Sequence, residues 1–212
     1  MCSFPSTSSS APFREMASST QYNSSNNDVV SETSINGGSG GGGGGGTSSG
    51  HTFHKLSHKW TLWAHLPHDT NWSASSYKNI YEFETAEEAI TIFETLPPKL
   101  VMNCMLFLMR KGIVPMWEDA QNRNGGCFSY KVANKEVNQA WKQLSYVTVG
   151  ETISTNLGVL PFVNGITISP KKNFCIIKIW MANCDFQNAG VIRELEGITA
   201  HGCLFKKHTP EY

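Results

Sequence analysis

The first fifty residues place the strongest constraint on the fold, because they contain almost nothing from which a core can be built. Met1 to Gly50 is dominated by Ser, Thr, Asn and Gly, includes the glycine run 40–46, and has Phe4, Phe13 and Tyr22 as its only aromatic residues. Such a segment cannot bury enough apolar surface to offset its conformational entropy. We therefore predict a disordered Ser/Asn/Gly-rich tail over residues 1–52 and one compact domain over residues 53–212, a comfortable size for a single core.

The charge balance argues against a long stretch of nucleic acid as the ligand. The chain has 17 basic and 17 acidic residues, and without the tail residues Arg14, Glu15, Asp28 and Glu32 the domain keeps 16 and 14, a net charge of about +2. Proteins that grip long nucleic-acid backbones are usually strongly basic. A small, locally recognised group is therefore the favoured ligand.

Cysteine spacing and hydropathy indicate the compartment. The six cysteines form no C-x-x-C pair, and the N-terminus has no apolar leader segment. The most apolar stretch, residues 100–109, is too short to span a bilayer. We expect reduced thiols, no membrane association, and a cytoplasmic or nuclear protein.

Apolar periodicity predicts five strands and three helices. The strands cover residues 59–66, 80–84, 104–110, 163–169 and 174–181, and the last two form a hairpin around the basic turn 170–173. Thr85-Ala86-Glu87-Glu88 is a capping box that starts a helix ended by Pro97-Pro98. Further helices are predicted from Val137 to about Gly150 and from Asp185 to Gly197. Without strict alternation of strands and helices, this pattern favours an α+β fold with an antiparallel sheet.

One tryptophan stands in a motif that points to chemistry. Most of the six tryptophans are explained by a core, but Trp117 lies in a predicted loop, in the run Pro115-Met116-Trp117-Glu118-Asp119. A carboxylate beside an exposed aromatic ring can hydrogen-bond the edge of a base while the ring stacks on its face. The motif therefore indicates recognition of a nucleobase.

This motif is one of several that resemble the eukaryotic translation initiation factor 4E family of mRNA cap-binding proteins. From His54 onward the matching blocks, in order and spacing, are Trp60-Thr61-Leu62-Trp63, residues 112–119 with Gly125-Gly126, Trp141, Gly150-Glu151 and Ile177-Lys178-Ile179-Trp180. The resemblance implies a single curved antiparallel β-sheet of about eight strands with three helices packed on the convex face. It also implies a monomeric translation initiation factor without a cofactor.

The resemblance also implies which residues bind the 7-methylguanosine cap: Trp72, Trp117, Glu118, Trp180, Lys171 and Lys172. Trp72 and Trp117 would sandwich the base, which methylation at N7 makes a cation, and cation–π attraction adds ~2 kcal/mol or more once desolvated. Glu118 would accept from the N1–H and N2 amino groups, and the backbone N–H of Trp117 would donate to O6. Trp180 would contact the N7 methyl group, and Lys171, assisted by Lys172, would bind phosphate.

The chain departs from the family pattern near the phosphates. Two positions that are usually basic are Ile176 and Cys127, which predicts a weaker or differently arranged grip on phosphate. Phe128 replaces a tryptophan. The chain ends at Tyr212, about where the last loop and final strand of the family would begin, so we expect the phosphate contacts or phosphorylation site of that segment to be missing.

The opposite face departs as well. There the family binds an amphipathic helix of a scaffold or regulatory protein with a Tyr-x-x-x-x-Leu-apolar motif. The matching positions are His54, Leu56, Ala86, Ile90, Lys142 and Tyr146. Ile90 replaces an anchor tryptophan and Lys142 an apolar contact, which predicts a partner with an altered or longer motif. It also leaves open a cap-binding homologue that represses or stores mRNA.

Two other classes of function are less favoured. His51, His54, His58, His65 and His68 are close in sequence, but bunched histidines at a domain edge are more typical of a solvated surface than of a zinc site. No nucleophile elbow is present. We therefore expect neither a metal site nor catalysis.

Overall fold

The computed structural model describes residues 52–208, so the predicted tail lies outside the described residues apart from Thr52. Seven strands form one sheet in the order β2-β1-β3-β5-β6-β4-β7, and every neighbouring pair is antiparallel. The strands are β1 Lys55–His65, β2 Tyr77–Thr85, β3 Met105–Arg110, β4 Gly126–Ala133, β5 Val163–Pro170, β6 Phe174–Met181 and β7 Leu204–Lys207.

Three α-helices accompany the sheet: α1 Ala86–Thr95, α2 Pro98–Asn103 and α3 Val137–Val149. The capping box is confirmed, because the Thr85 hydroxyl accepts the Glu88 N–H while the Glu88 carboxylate accepts the Thr85 N–H. Helix α1 ends just before Pro97-Pro98, and Pro98 begins α2, where its missing N–H costs nothing. No helix among residues 52–208 is long and apolar enough to cross a membrane.

Side-chain alternation gives the sheet two different faces. The helix face carries an apolar core whose central members are Leu106, Leu108, Ile166, Ile168, Ile177 and Ile179. Phe93 of α1 meets Phe83 of β2 edge to face at 5.8 Å and Tyr146 of α3 at 5.3 Å, so the two helices pack on each other and on this face. The opposite face, called the site face below, carries Phe107, Met109, Thr167, Lys178 and Trp180.

The α+β class, the single antiparallel sheet and the number of helices are confirmed, with seven strands described where about eight were expected. The helix predicted from Asp185 to Gly197 is wrong: only a 3-10 turn forms, at Ala189–Val191. The Asn188 side chain takes the Gly190 N–H, and the Arg193 N–H bonds to the distant Ile153 carbonyl. These bonds, with Gly197 at φ +75°, replace the helical ladder.

Candidate functional site

The loop between β3 and β4 carries Trp117 and Glu118, and Asp119 fixes its shape. The Asp119 carboxylate accepts the N–H of Val114 at 3.0 Å and the N–H of Gln121 at 2.8 Å. Because both of its oxygens are engaged within the loop, Asp119 is a structural residue. Trp117 and Glu118 are exposed and free to meet a ligand.

A buried asparagine anchors the same loop from below. The Asn122 amide donates to the carbonyls of Val114 and Met116 at 3.1 and 2.8 Å, and its oxygen accepts from the Asn164 amide of β5 at 2.9 Å. The Asn122 carbonyl in turn bonds to His208 Nδ1 at 2.8 Å. A buried polar network with its partners satisfied rigidifies what it holds. Asn122 and Asn164 were not predicted from the sequence, because a single asparagine in a loop or strand carries no signal of such a role.

Trp72, in the connection between β1 and β2, stacks on a histidine. The rings of His65 and Trp72 are 4.0 Å apart and inclined by 5°. His65 Nε2 donates to the Asn71 carbonyl at 2.8 Å, which ties the preceding residue to the same ring. His65 itself is buried at the end of β1. From the sequence, this histidine stood out only as part of a possible metal cluster.

Trp72, Trp117, Glu118 and Trp180 all line one cavity of about 290 Å³, called the site cavity below. Its other lining residues are Tyr77, Met105, Phe107, Pro115, Met116, Thr167, Ser169 and Lys178. Trp72 and Trp117 are 52% and 40% exposed, whereas Trp180 is buried in the wall and donates from Nε1 to Thr167 Oγ1 at 2.7 Å. The cavity therefore combines accessible indoles with one acidic and one basic side chain.

Two charged side chains, Glu118 and Lys178, line the site cavity. Burial, and next the negative charge of Glu118, raise the pKa of Tyr77, so this phenol stays neutral beside the carboxylate. Lys178 lines the same cavity with the hydroxyl residues Thr167, its partner across the β5–β6 pair, and Ser169. Lys171 and Lys172, by contrast, are exposed in the turn between β5 and β6 and are not among the lining residues.

The positions implied for a protein partner lie at the start of β1 and on α1 and α3. The Ala86 N–H donates to the His54 carbonyl at 2.8 Å, which joins the start of β1 to α1. Glu94 of α1 accepts from Lys142 Nζ at 2.9 Å and from the Tyr146 hydroxyl at 2.8 Å, which joins α1 to α3. Burial is the larger cause and the hydrogen bond to Glu94 the next, and together they raise the pKa of the Tyr146 phenol to about 12.

Ile90 is half exposed on the same helix and offers an apolar contact to a partner, and Ala86 lies one turn before it. Leu56 is partly exposed in β1. We call this set of six residues, His54, Leu56, Ala86, Ile90, Lys142 and Tyr146, the dorsal surface. Lys142 pairs with Glu94, so an ion pair lies at this surface.

A larger cavity, about 490 Å³, lies around Arg110 and Lys111 at the end of β3. Its cations already have partners: Lys59 pairs with Glu84, Lys111 with Glu82, and Arg110 with Glu151. With its charge neutralised in this way, it offers little to an anion, and we place the candidate site at the smaller cavity.

Three of the clustered histidines each have a different partner. His54 bonds to Glu87 at 2.6 Å and His58 to Glu151 at 3.0 Å, while His65 stacks on Trp72. Within residues 52–208 no three His, Cys, Asp or Glu side chains are grouped so that they could hold a metal ion, and His51 lies outside the described residues.

Comparison with known proteins agrees with this fold and identifies a family. The family model "Eukaryotic initiation factor 4E" matches residues 55–204. The chain is 35% identical over 142 residues to eukaryotic translation initiation factor 4E-2 of Schizosaccharomyces pombe, covering 62% of this chain and 55% of that protein. It is 31% identical to eukaryotic translation initiation factor 4E of Candida albicans, covering 62% of this chain and 66% of that protein. The chain thus spans about half to two thirds of the length of these curated relatives.

A solved structure shares the fold. It is described as the complex of C. elegans eIF4E-3 with the 4E-binding protein Mextli and cap analog, and it matches with a TM-score of 0.57 at 22% identity. The match covers 63% of this chain and 76% of that one.

Proposed function

The chain belongs to the eukaryotic initiation factor 4E family, and on this basis we propose that it binds the 7-methylguanosine cap of mRNA and recruits the message for translation initiation. It would do so without catalysis, in the cytoplasm or nucleus, with a helical partner bound to the dorsal surface. The relatives that it matches are named as initiation factors, and the C. elegans protein of the same fold was solved with a cap analog and a 4E-binding protein.

One observation carries the proposal: two exposed indoles and an exposed carboxylate border the same cavity. His65 covers one face of Trp72, and because Trp72 still lines the cavity while His65 does not, the other side of the indole remains available. Trp117 borders the same cavity from the loop that Asp119 and Asn122 brace. In the proposed complex a flat heterocycle enters between the two rings.

The chemistry of this arrangement selects a methylated guanine. A base methylated at N7 is a delocalised cation, which indole faces attract more strongly than a neutral base. Glu118 offers two acceptor oxygens to the N1–H and N2 amino donors of guanine, a pair that adenine lacks. Trp180, at the cavity wall, supplies the apolar contact for the methyl group.

Tryptophan fluorescence tests the proposal directly. We expect 7-methylguanosine triphosphate to quench the emission of the full chain, and unmethylated GTP to bind about 30-fold more weakly, the ratio that ~2 kcal/mol of cation–π attraction produces. Trp117→Ala should abolish quenching, and Glu118→Gln should weaken binding of the guanine ligand.

Phe53→Ala is the matched control, because Phe53 is an exposed aromatic residue that does not line the site cavity. It should bind like the unmodified chain. Equal affinity for methylated and unmethylated nucleotides, or full binding by Trp117→Ala, would exclude the aromatic sandwich.

The dorsal surface supports a partner that differs from the usual one. Half-exposed Ile90 is a smaller anchor than tryptophan, and the neighbouring Lys142–Glu94 ion pair is a polar element that a partner helix must accommodate. We infer a partner helix with an altered or longer motif. Titration with an unmodified Tyr-x-x-x-x-Leu-apolar peptide should show weak binding, and Ile90→Trp should strengthen it; normal affinity of the unmodified peptide for the natural chain argues against the inference.

The same altered surface favours one alternative, a cap-binding homologue that represses or stores mRNA. Proteins retained with the chain on cap-analogue resin distinguish the two roles, since a scaffold with a helicase indicates initiation and an isolated repressor indicates storage. Incubation with capped RNA tests the absence of catalysis, because release of a methylated nucleotide would show that the protein is an enzyme.

A further inference from the structure

The two positions at which the family resemblance expects basic residues both lie on the site face and carry no charge. Ile176 of β6 pairs with Ser169 of β5, and Cys127 of β4 pairs with Trp180 of β6. The thiol of Cys127 is buried. A phosphate chain extending from a base in the site cavity would meet no cation at either position.

Lys178 lies between them on the same face. It is two residues from Ile176 and two from Trp180 along β6, and alternate residues of a strand point to the same side. Its neighbours across the sheet are Thr167 of β5 and Ser129 of β4. Lys178 is the one cation among the residues that line the site cavity.

The charge of Lys178 is not used within residues 52–208. None of the ion pairs found there involves it, whereas the cations of the larger cavity, Lys59, Arg110 and Lys111, are all paired. Its field does reach the neighbouring His208, whose pKa it helps to lower. An unpaired, half-buried ammonium group beside a cavity is suited to an anionic ligand.

Two hydroxyl residues complete the polar side of the cavity. Thr167 Oγ1 accepts from Trp180 Nε1, so its own hydrogen remains free to be donated elsewhere. Ser169, two residues further along β5 on the same face, also lines the cavity. The cation and the two hydroxyls lie on neighbouring positions of β5 and β6, whereas Glu118 lies in the loop between β3 and β4. A ligand that is positive at its base and negative at its phosphates could meet a carboxylate and an ammonium group in the same cavity.

We propose that Lys178, with Thr167 and Ser169, is the phosphate-binding group of the site, and that it takes over the role that the turn lysines Lys171 and Lys172 would have by resemblance. The proposal rests on the proposed function, since it assigns the contact to the triphosphate bridge of the cap. It explains how a chain with Ile176 and Cys127 at the usual basic positions still holds phosphate.

The test compares 7-methylguanosine, which has no phosphate, with 7-methylguanosine triphosphate on the full chain. Lys178→Met should leave the affinity for the nucleoside unchanged and weaken triphosphate binding about tenfold, the loss expected for one charge-assisted hydrogen bond. Lys178→Arg should restore most of the phosphate gain, and Lys171→Met and Lys172→Met should keep it. Thermal unfolding of each variant confirms that the fold is retained.

Three outcomes separate the possibilities. If the unmodified chain binds both ligands but Lys178→Met keeps the full phosphate gain, the role of Lys178 is refuted while cap binding stands. If Lys171→Met or Lys172→Met loses the gain instead, the turn lysines hold the phosphate and our assignment is wrong. If the unmodified chain binds neither ligand, the proposed function fails and this inference fails with it.

Discussion

At the scale of single residues, His65 determines how firmly Trp72 is held. Trp72 is half exposed, and the connection between β1 and β2 in which it lies contains little regular secondary structure. The parallel stack on His65 and the bond from His65 to the Asn71 carbonyl fix the ring before a ligand arrives. Because the ring is already positioned, less conformational entropy is lost when a ligand binds.

We therefore expect replacement of His65 to weaken ligand binding, although His65 does not line the site cavity. An aromatic pair contributes about 0.5–1.5 kcal/mol beyond its buried area, so His65→Ala should weaken binding of 7-methylguanosine triphosphate roughly two- to tenfold. His65→Phe, which keeps a ring but not the bond to Asn71, should fall between. Fluorescence titration measures both, with exposed His201→Ala as the control. Unchanged affinity in His65→Ala would show that Trp72 needs no support.

His208 should make the stability of the domain depend on pH. Burial lowers its pKa below the usual 6.5; the hydrogen bond to the Asn122 carbonyl opposes this, and Lys178 adds to it. Between 6.5 and the lower folded-state pKa the unfolded chain binds more protons than the folded one, so the free energy of unfolding falls as the pH drops through this window.

Urea unfolding of the full chain and of His208→Gln between pH 5 and 7.5 measures this contribution. The unmodified chain should lose more stability on acidification than the variant, because only its residue 208 gains a proton on unfolding. A difference between the two that stays constant with pH would show that His208 does not titrate as described.

At the scale of elements, the double glycine before β4 is required by a close approach of two chain segments. A Cβ atom built on Gly125 would lie 1.7 Å from the Met181 carbonyl oxygen, and one on Gly126 would lie 2.5 Å from the Lys206 carbonyl oxygen. The ends of β6 and β7 therefore pack directly on the glycine backbone, at the start of β4 and close to Trp180.

Gly125→Ala should consequently destabilise the domain. Overpacking of this kind costs about 1–3 kcal/mol, and here the obstacle is backbone that cannot move without shifting β6. The matched control is Gly158→Ala, whose Cβ would meet only the Asn156 side chain at 3.2 Å. Chemical denaturation should separate the two variants; equal stability would mean that the strand ends move apart easily.

The elements predicted from the sequence each have a signal within a few neighbouring residues. Some of the others lack such a signal or depend on contacts with residues distant in the sequence. Alternation and the capping box predicted β1, β2, β3, β5, β6 and α1 because each signal lies within a few residues. Strand β4 was not predicted although Phe128, Tyr130 and Val132 alternate with Ser129 and Lys131, whereas β7 has only four residues and shows no clear period. The segment 185–197 carries helically spaced apolar residues, but its backbone bonds go to Ile153 and to its own turns.

At the scale of the whole molecule, four of the residues that line the site cavity were named from the sequence, but the residues that support them were not. Trp117 and Glu118 adjoin in a distinctive motif, and resemblance added Trp72 and Trp180. The residues that hold them are separated from them in sequence, as Asn164 is from Asn122 by 42 positions. The role proposed for Lys178 depends on which face of β6 its side chain occupies and on which other cations are paired. Neither of these can be derived from a single sequence.

The division of the chain into a tail and one domain leads to a last prediction. Every buried side chain within residues 52–208 lies between Trp60 and Ile198, and the first contacts of the domain are made by His54, through Ala86 and Glu87. The domain therefore draws its core and both of its candidate surfaces from residues after 51. Removing residues 1–51 should leave the Tm and the affinity for 7-methylguanosine triphosphate unchanged.

Removal of residues 1–59 is the matched control. It also deletes the start of β1, with the pairing of Lys55 to Thr85, the bond from the Lys111 N–H to the Lys59 carbonyl, and the Lys59–Glu84 ion pair. Because β1 lies between β2 and β3, this loss weakens two strand pairs at once, and the Tm should fall clearly. A Tm that falls as far on removal of residues 1–51 would show that the first fifty residues contribute to the folded domain, and the boundary at residue 52 would then be wrong.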